Sequence, residues 1–328
     1  MKIAIVGATG LVGQNIIKLC KQFFSNDVEY TFFASANSVG KIININNTDV
    51  KVLELKLENI QSYDIALFSA GGDRSKQFAN EFVEKGSFVV DNSSAFRMDS
   101  NVPLVVYGIN QNIISTDKKL ISNPNCTTMG LVMALKPLHD HYNLKAITPV
   151  AFQAVSGSGT AGINSLANEI EMGDNLKPDF RDGYYSNPIA KNVIPLAGNL
   201  LDNGYSDEEM KFCNESRKIL NIENLIVEPS NARVGVRTGH GTFCSALFEN
   251  SIDVEDAISV LKNFDGVEYW DETLPTPLDV EGRHEVLVSR LRKGLSSDKI
   301  INFWVVSDNL LKGAALNAVQ IAKYISEL

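Results

Sequence analysis

The stretch KIAIVGATGLVG, positions 2–13, constrains the fold more than any other. An apolar run of strand type ends at Gly7, and a helical apolar pattern through Ile16, Ile17 and Leu19 to about Phe24 begins just past Gly10. A strand that turns so tightly into a helix needs glycine where backbones approach. It also leaves amides at a helix N-terminus, where the dipole favours an anion. Thr9 stands in place of the second glycine of G-x-G-x-x-G, so the motif is a G-x-x-G-x-x-G variant. Its position directly after the first strand favours dinucleotide binding over a turn that binds nothing. Strand-like runs recur at 29–35, 64–70, 87–93 and 119–123, with the helical stretch SKQFANEFVEKG before 87–93. This alternation predicts a parallel sheet covered by helices, an α/β, Rossmann-like dinucleotide-binding domain.

After about residue 145 the pattern changes. AITPVAFQAVSGSG and LIVEPSNARVGVRTGHGTFCSALFEN read as longer strands and GINSLANEIEMG as a helix, so a second domain of mixed α+β type is expected. The irregular stretch 174–205 is longer than an ordinary loop and is expected to wrap an active site or a subunit interface. The closing SDNLLKGAALNAVQIAKYISEL is helical in period and is expected to return to the first domain. The expected division is residues 1–128 with 308–328, against 129–307.

Charge and cysteine usage exclude several classes. The net charge is −9 with scattered basic residues, which argues against a nucleic-acid surface. No run approaches the roughly 18 to 20 apolar residues of a membrane span, and MKIAIVGATG lacks a signal pattern, so a cytoplasmic protein is expected. Cys20, Cys126, Cys213 and Cys244 form no C-x-x-C pair and have no histidines at ligand spacing; neither a disulfide framework nor a metal site is expected.

In SNPNCTT, residues 122–128, Cys126 follows a Pro-Asn turn and precedes the apolar run MGLVMALKPL. A helix N-terminus stabilises a thiolate, the reactive form of the group, so Cys126 is either a nucleophile or a small buried residue. A nucleophilic thiol needs a proton partner. His139 and His141 fall at the far end of the same helix, about 20 Å away, and His284 sits in the charged stretch EGRHE. His240 remains. Arg233, seven residues earlier, would face away from it on an unbroken strand; a bend at Thr238-Gly239 would bring both to one cavity. For the cofactor, the second strand ends in Ala34-Ser35-Ala36-Asn37-Ser38 with no carboxylate for ribose hydroxyls, and Lys41 follows; NADP is favoured.

The segments GATGLVG, DNSSAFR, SNPNCTT, FQAVSGSGTAG, EEMK, RVGVRTGHG, LPTPLDVEG and WVVSDNLLKGAA, in this order from residue 2 to about 324, together closely resemble the aspartate-β-semialdehyde dehydrogenases. The resemblance implies NADPH-dependent reductive dephosphorylation of L-aspartyl 4-phosphate to aspartate semialdehyde, a step of lysine, threonine and methionine biosynthesis. It implies Cys126 as thioester-forming nucleophile, His240 as acid/base and Gln153 as the group that orients the thioacyl carbon. It places the substrate carboxylate on Arg233, its amino group on Glu208, and its phosphate on Arg97, Asn125 and Lys211. Gly7, Thr9, Gly10, Leu11 and Val12 match the cofactor's phosphate turn, Ser35 and Ser38 its 2′-phosphate site, and Asn309 its nicotinamide amide; Ser156 and Gly157 are further cofactor-binding positions. A homodimer is implied, with a tetramer as the alternative.

Three positions depart from the family pattern: Asn37 where arginine is frequent, which leaves NAD(H) open as a weaker cofactor; Tyr107-Gly108 where Pro-Glu is common; and Gly235 where proline is usual, expected to loosen that strand. N-acetyl-γ-glutamyl-phosphate reductase is the nearest rival, and Glu208 argues against it because a free amino group needs a carboxylate. Glyceraldehyde-3-phosphate dehydrogenase shares the Cys and His logic but matches the motifs poorly. A silent dinucleotide-binding paralog would be expected to have lost the thiol or its base.

Overall fold

The computed structural model describes every residue, Met1–Leu328, and the chain divides into two compact units, Met1–Asn125 with Ala314–Leu328, and Cys126–Gly313. The expected boundaries at 128 and 308 thus move to 125 and 313.

In the first unit, β1 (Lys2–Val6), α1 (Leu11–Phe23) and β2 (Glu29–Ala34) are followed by a hairpin of β3 (Ile42–Ile45) and β4 (Thr48–Lys51). Asn46 and Asn47 turn that hairpin at φ 50° and 62°, the left-handed pair a type I′ turn needs. Then come β5 (Leu53–Glu54), β6 (Ile65–Phe68), α2 (Gly72–Glu84), β7 (Phe88–Asp91) and β8 (Leu120–Ser122). The sheet is wholly parallel in the order β5-β2-β1-β6-β7-β8. All of β6, and β1 beyond Lys2, are buried, as expected of a sheet covered on both faces. α2 packs on β6, β7 and β8, while the C-terminal helix Leu316–Ile325 packs on α1, β6 and β7. Asn317 anchors that helix: its side-chain oxygen accepts from the Tyr107 amide at 2.8 Å and its nitrogen donates to Val105 O at 2.9 Å. The Tyr107 ring meets Tyr324 edge-on, and Gly108, at φ 96°, takes the turn. The unusual Tyr-Gly pair therefore serves to dock the C-terminal helix.

The second unit opens with α3 (Cys126–Tyr142), β9 (Leu144–Gln153), α4 (Gly159–Met172), β10 (Val193–Ile194) and α5 (Asp207–Leu220). It continues with β11 (Ile226–Val227), β12 (Ser230–Val234), β13 (His240–Phe248), α6 (Val254–Lys262), β14 (Val267–Tyr269), α7 (Pro277–Val280), β15 (Val286–Lys293) and β16 (Ile300–Ser307). The mixed sheet runs β10-β12-β9-β13-β16-β15-β14, with β11 also on β9. α3 crosses β9, β13, β15 and β16, which is why Cys126, its first residue, belongs to this unit. β9 alternates: Ile147, Pro149, Ala151 and Gln153 are buried while Lys145, Thr148 and Val150 are exposed, so only one face lies in the core. Near Val150 the rings of Phe152, Phe243 and Trp304 pack together, Phe243 and Trp304 at 4.7 Å.

Past β16, residues Leu311–Ala315 form a turn of π-helix, closed by Gly313 N–H on Asp308 O at 3.1 Å. Such turns recur at functional sites.

Candidate active site

β12 and β13 flank β9, one parallel and one antiparallel to it. The break between them, with Gly239 at φ 96°, turns Arg233 and His240 toward the same place. A Cβ on Gly157 would lie 3.2 Å from both Arg233 Nη1 and His240 Nε2. The bend expected at Thr238-Gly239 is thus present. At Gly235, a Cβ would come within 2.7 Å of Ile189 O; glycine permits that close approach.

Each side chain at this point is held. The Ala154 amide donates to His240 Nδ1 at 3.0 Å, so the ring proton of the neutral imidazole sits on Nε2, an atom that is buried without a partner. Burial, and then the Arg233 charge, push the His240 pKa down from 6.5 to about 3. Arg233 Nη1 donates to Ala154 O at 2.8 Å, while its buried Nε has no partner. Gln153 ends β9, buried, and its amide reaches Glu208 Oε2 at 3.4 Å. Glu208 also pairs with Lys211 one turn along α5. Ser206 and Glu209 form the capping box that starts α5, and the second oxygen of Glu209 accepts from the Asn231 amide at 2.9 Å. One carboxylate therefore registers the helix bearing Glu208 and Lys211 against the strand bearing Arg233.

Cys126 begins α3 and is half-buried. Two glycines make room around it. Gly313, in the π-turn, lies so close that a Cβ there would be 2.7 Å from that of Cys126. Gly130, one turn along, admits the Ser307 hydroxyl, and Ser307 is the β16 partner of His240. The first turn of α3 therefore meets the His240 end of the sheet. The expected division placed Cys126 and His240 on opposite sides of its boundary at 128; here both belong to the second unit. So do Ser156, Gly157 and Asn309. Asn309 is buried, accepts from the Gly239 amide at 2.9 Å and donates to Ser156 Oγ at 2.9 Å.

A cavity of about 430 Å³ in the second unit is lined by Gly157, Ser158, Tyr185, Gly198, Glu208 and Arg233, among others. Tyr185 is not evident in the sequence, because 174–205 carries no periodicity that would single out one tyrosine, and Ser158 lies in FQAVSGSGTAG, where no pattern separates it from Ser156.

The first unit holds the other candidates. Arg97 is buried, with Nε donating to Asn123 O and Nη2 to Asn92 O, both at 2.9 Å; Asn125, also buried, precedes Cys126. At the carboxyl end of β1, Gly7 sits at φ 86°, where a Cβ would be 2.1 Å from Ser69 O, and a Cβ on Gly13 would be 2.1 Å from Gly7 O. Gly7 and Ala8 spend their amides on Phe33 O and Gly10 spends its own on Gly7 O, so the amides that open α1 are those of Leu11, Val12 and Gly13. They face the requirement of a pyrophosphate. A cleft of about 230 Å³ is lined by Gly7, Thr9, Gly10, Ser35, Leu55 and Arg74, among others, with no carboxylate in its wall. Thr9 Oγ1 donates to Ser38 Oγ at 3.3 Å. The cation of this cleft is Arg74, in the first turn of α2, rather than Lys41, which stays exposed on its turn. On sequence alone Arg74 reads as a solvated helix charge. Free amides, hydroxyls and one arginine fit the anionic adenosine end of NADP.

Residues 2–116 match the family profile described as semialdehyde dehydrogenase, NAD binding domain, and residues 135–312 match semialdehyde dehydrogenase, dimerisation domain. The chain is 43% identical to the aspartate-semialdehyde dehydrogenase of Corynebacterium melassecola, over 98% of each chain. It is similar to the crystal structure of aspartate semialdehyde dehydrogenase II complexed with ASA from Vibrio cholerae, with a TM-score of 0.95, 38% identity, and coverage of 99% of this chain and 98% of the other. The Candida albicans enzyme with NADP follows at a TM-score of 0.77 and 26% identity, with coverage of 99% and 98%. Matched along both units, the chain belongs to the aspartate-semialdehyde dehydrogenase family.

Proposed function

We propose that this protein catalyses the NADPH-dependent reductive dephosphorylation of L-aspartyl 4-phosphate to L-aspartate 4-semialdehyde and phosphate. The observation that carries this reading is the grouping of Arg233, Glu208, Gln153 and His240 around Gly157, with Cys126 at a helix start whose first turn touches the partner strand of His240.

Cys126 Sγ attacks the acyl carbon; phosphate leaves with the electron pair of the C–O bond, giving a thioester. When bound, NADPH supplies the hydride that reduces that carbon. The tetrahedral adduct then collapses, the C–S bond breaks, and the thiolate returns. His240, neutral with its proton on Nε2, is arranged to donate to the carbonyl oxygen as negative charge develops there. Arg233 binds the α-carboxylate and Glu208 the amino group, a pairing that an N-acylated substrate would not satisfy. Gln153 orients the thioacyl carbon, and Lys211, Arg97 and Asn125 receive the phosphate. Leu11 and Val12 meet the cofactor's pyrophosphate beside Gly7, Thr9 and Gly10. Ser35 and Ser38 serve its 2′-phosphate, and Ser156, Gly157 and Asn309 its nicotinamide.

A homodimer formed through the second unit fits the exposed sheet face around Val150 and Leu247, which are 39% and 37% exposed. Four free cysteines suit a reducing cytoplasm. The test is phosphate-dependent oxidation of aspartate semialdehyde, read as NADPH absorbance, with N-acetylglutamate semialdehyde as comparator. Turnover of the aspartyl substrate that disappears in Cys126→Ala supports the reading, whereas preference for the N-acetylated substrate refutes it.

A further inference from the structure

The irregular stretch between α4 and α5 is pinned on both sides of one residue. Upstream, the Tyr184 amide donates to Ser165 Oγ at 3.0 Å, and Ser165 in turn donates to Glu169 Oε1 at 3.0 Å. Downstream, Glu169 Oε2 accepts from the amides of Ile189 at 2.5 Å and Ala190 at 2.9 Å. Both anchors stand on α4. The residue they present is Tyr185. Its hydroxyl donates to Ser158 Oγ at 3.1 Å, in space that a Cβ on Gly162 would fill, since that atom would lie 2.7 Å from the hydroxyl. The Arg233 Cζ lies over its ring, 5.9 Å from the centroid. Tyr185, Arg233 and Glu208 line the same cavity.

We propose that Tyr185 is a positioning residue for the substrate: its ring and the Ala154 carbonyl together fix the plane of the Arg233 guanidinium, leaving a defined edge to receive the α-carboxylate. This rests on the reading of Arg233 as the carboxylate anchor. A guanidinium held by one hydrogen bond on Nη1 still rotates about its stem, and a flat ring over Cζ removes that freedom at no cost in charge. The hydroxyl acts at one remove, because its bond to Ser158 sets the ring.

The test is steady-state kinetics of wild type, Tyr185→Phe, Tyr185→Leu, Arg233→Lys and the Tyr185→Leu/Arg233→Lys double variant, in phosphate-dependent oxidation of aspartate semialdehyde. Tyr185→Leu is expected to raise KM for the semialdehyde about tenfold, with KM for NADP and phosphate unchanged. Tyr185→Phe, which keeps the ring, should recover most of this. In the Arg233→Lys background, with no planar guanidinium to hold, Tyr185→Leu should add less than about twofold. Multiplying effects, or equal rises in all three KM values, overturn the proposal. A wild type inactive in this assay overturns the underlying reading of Arg233 and this proposal with it, whereas an active wild type with multiplying effects overturns this proposal alone.

Discussion

Replacing His240 by glutamine should make the protein less sensitive to acid. Burial and the Arg233 charge hold this imidazole neutral in the folded chain, with a pKa pushed from 6.5 to about 3. As pH falls through 6.5 the unfolded chain binds a proton that the folded chain refuses. Stability contributed by the neutral ring is therefore full above 6.5 and lost progressively below it. Between pH 7.5 and pH 5.0 the loss from this one residue is about 2 kcal/mol. That figure is insensitive to the folded value as long as it stays below about 4, since the native ring then binds almost no proton at pH 5.0. Glutamine does not titrate. Other groups titrate in both proteins, so the quantity to measure is a difference of differences: urea unfolding at both pH values, at one protomer concentration, in wild type and His240→Gln. The wild type should lose about 2 kcal/mol more than the variant between these conditions. If the two lose equal stability within about 0.5 kcal/mol, the imidazole is not held neutral by its surroundings, and its assignment as an Nε2 proton donor falls too.

Three further outcomes follow from the geometry. Arg74→Ala should raise KM for NADPH about tenfold or more while leaving KM for NADH nearly unchanged; equal losses with both cofactors would show that Arg74 does not meet the 2′-phosphate. Glu169→Ala removes the acceptor shared by the Ile189 and Ala190 amides, and should cost about 1 to 3 kcal/mol and open 174–205 to limited proteolysis; an unchanged digestion pattern would contradict the anchoring. In Gly241→Ala the new methyl would lie 2.0 Å from the Trp304 ring, so a clear fall in Tm is expected, and wild-type stability would show that Trp304 has another place to go.

The legible parts of this molecule are those that local chemistry dictates. Gly7 and Gly10 announce the strand-to-helix turn, the alternation of strands and helices gives the parallel sheet, and Ser206 with Glu209 spells a capping box that the structure contains. The Thr238-Gly239 bend was also readable, because two polar residues seven apart on a strand need a break to meet. What stayed hidden depends on contacts distant in sequence. Arg74 belongs to the cofactor cleft only because β6 lies beside β1. Tyr185 is singled out by Ser165 and Glu169 on another element. Gly235 is explained by a carbonyl from 46 residues upstream. The unit boundary moved because the apolar body of α3 packs on the second sheet, which composition at residue 126 does not reveal.

The burial of three of the four thiols has a practical consequence. Cys20, Cys213 and Cys244 are buried, and burial raises their pKa values, which leaves them slow to react. Cys126 alone is partly open. A mild alkylating reagent at neutral pH should therefore label a native chain once, at Cys126, and uptake beyond one mole per mole of chain should mark chains whose buried thiols have opened.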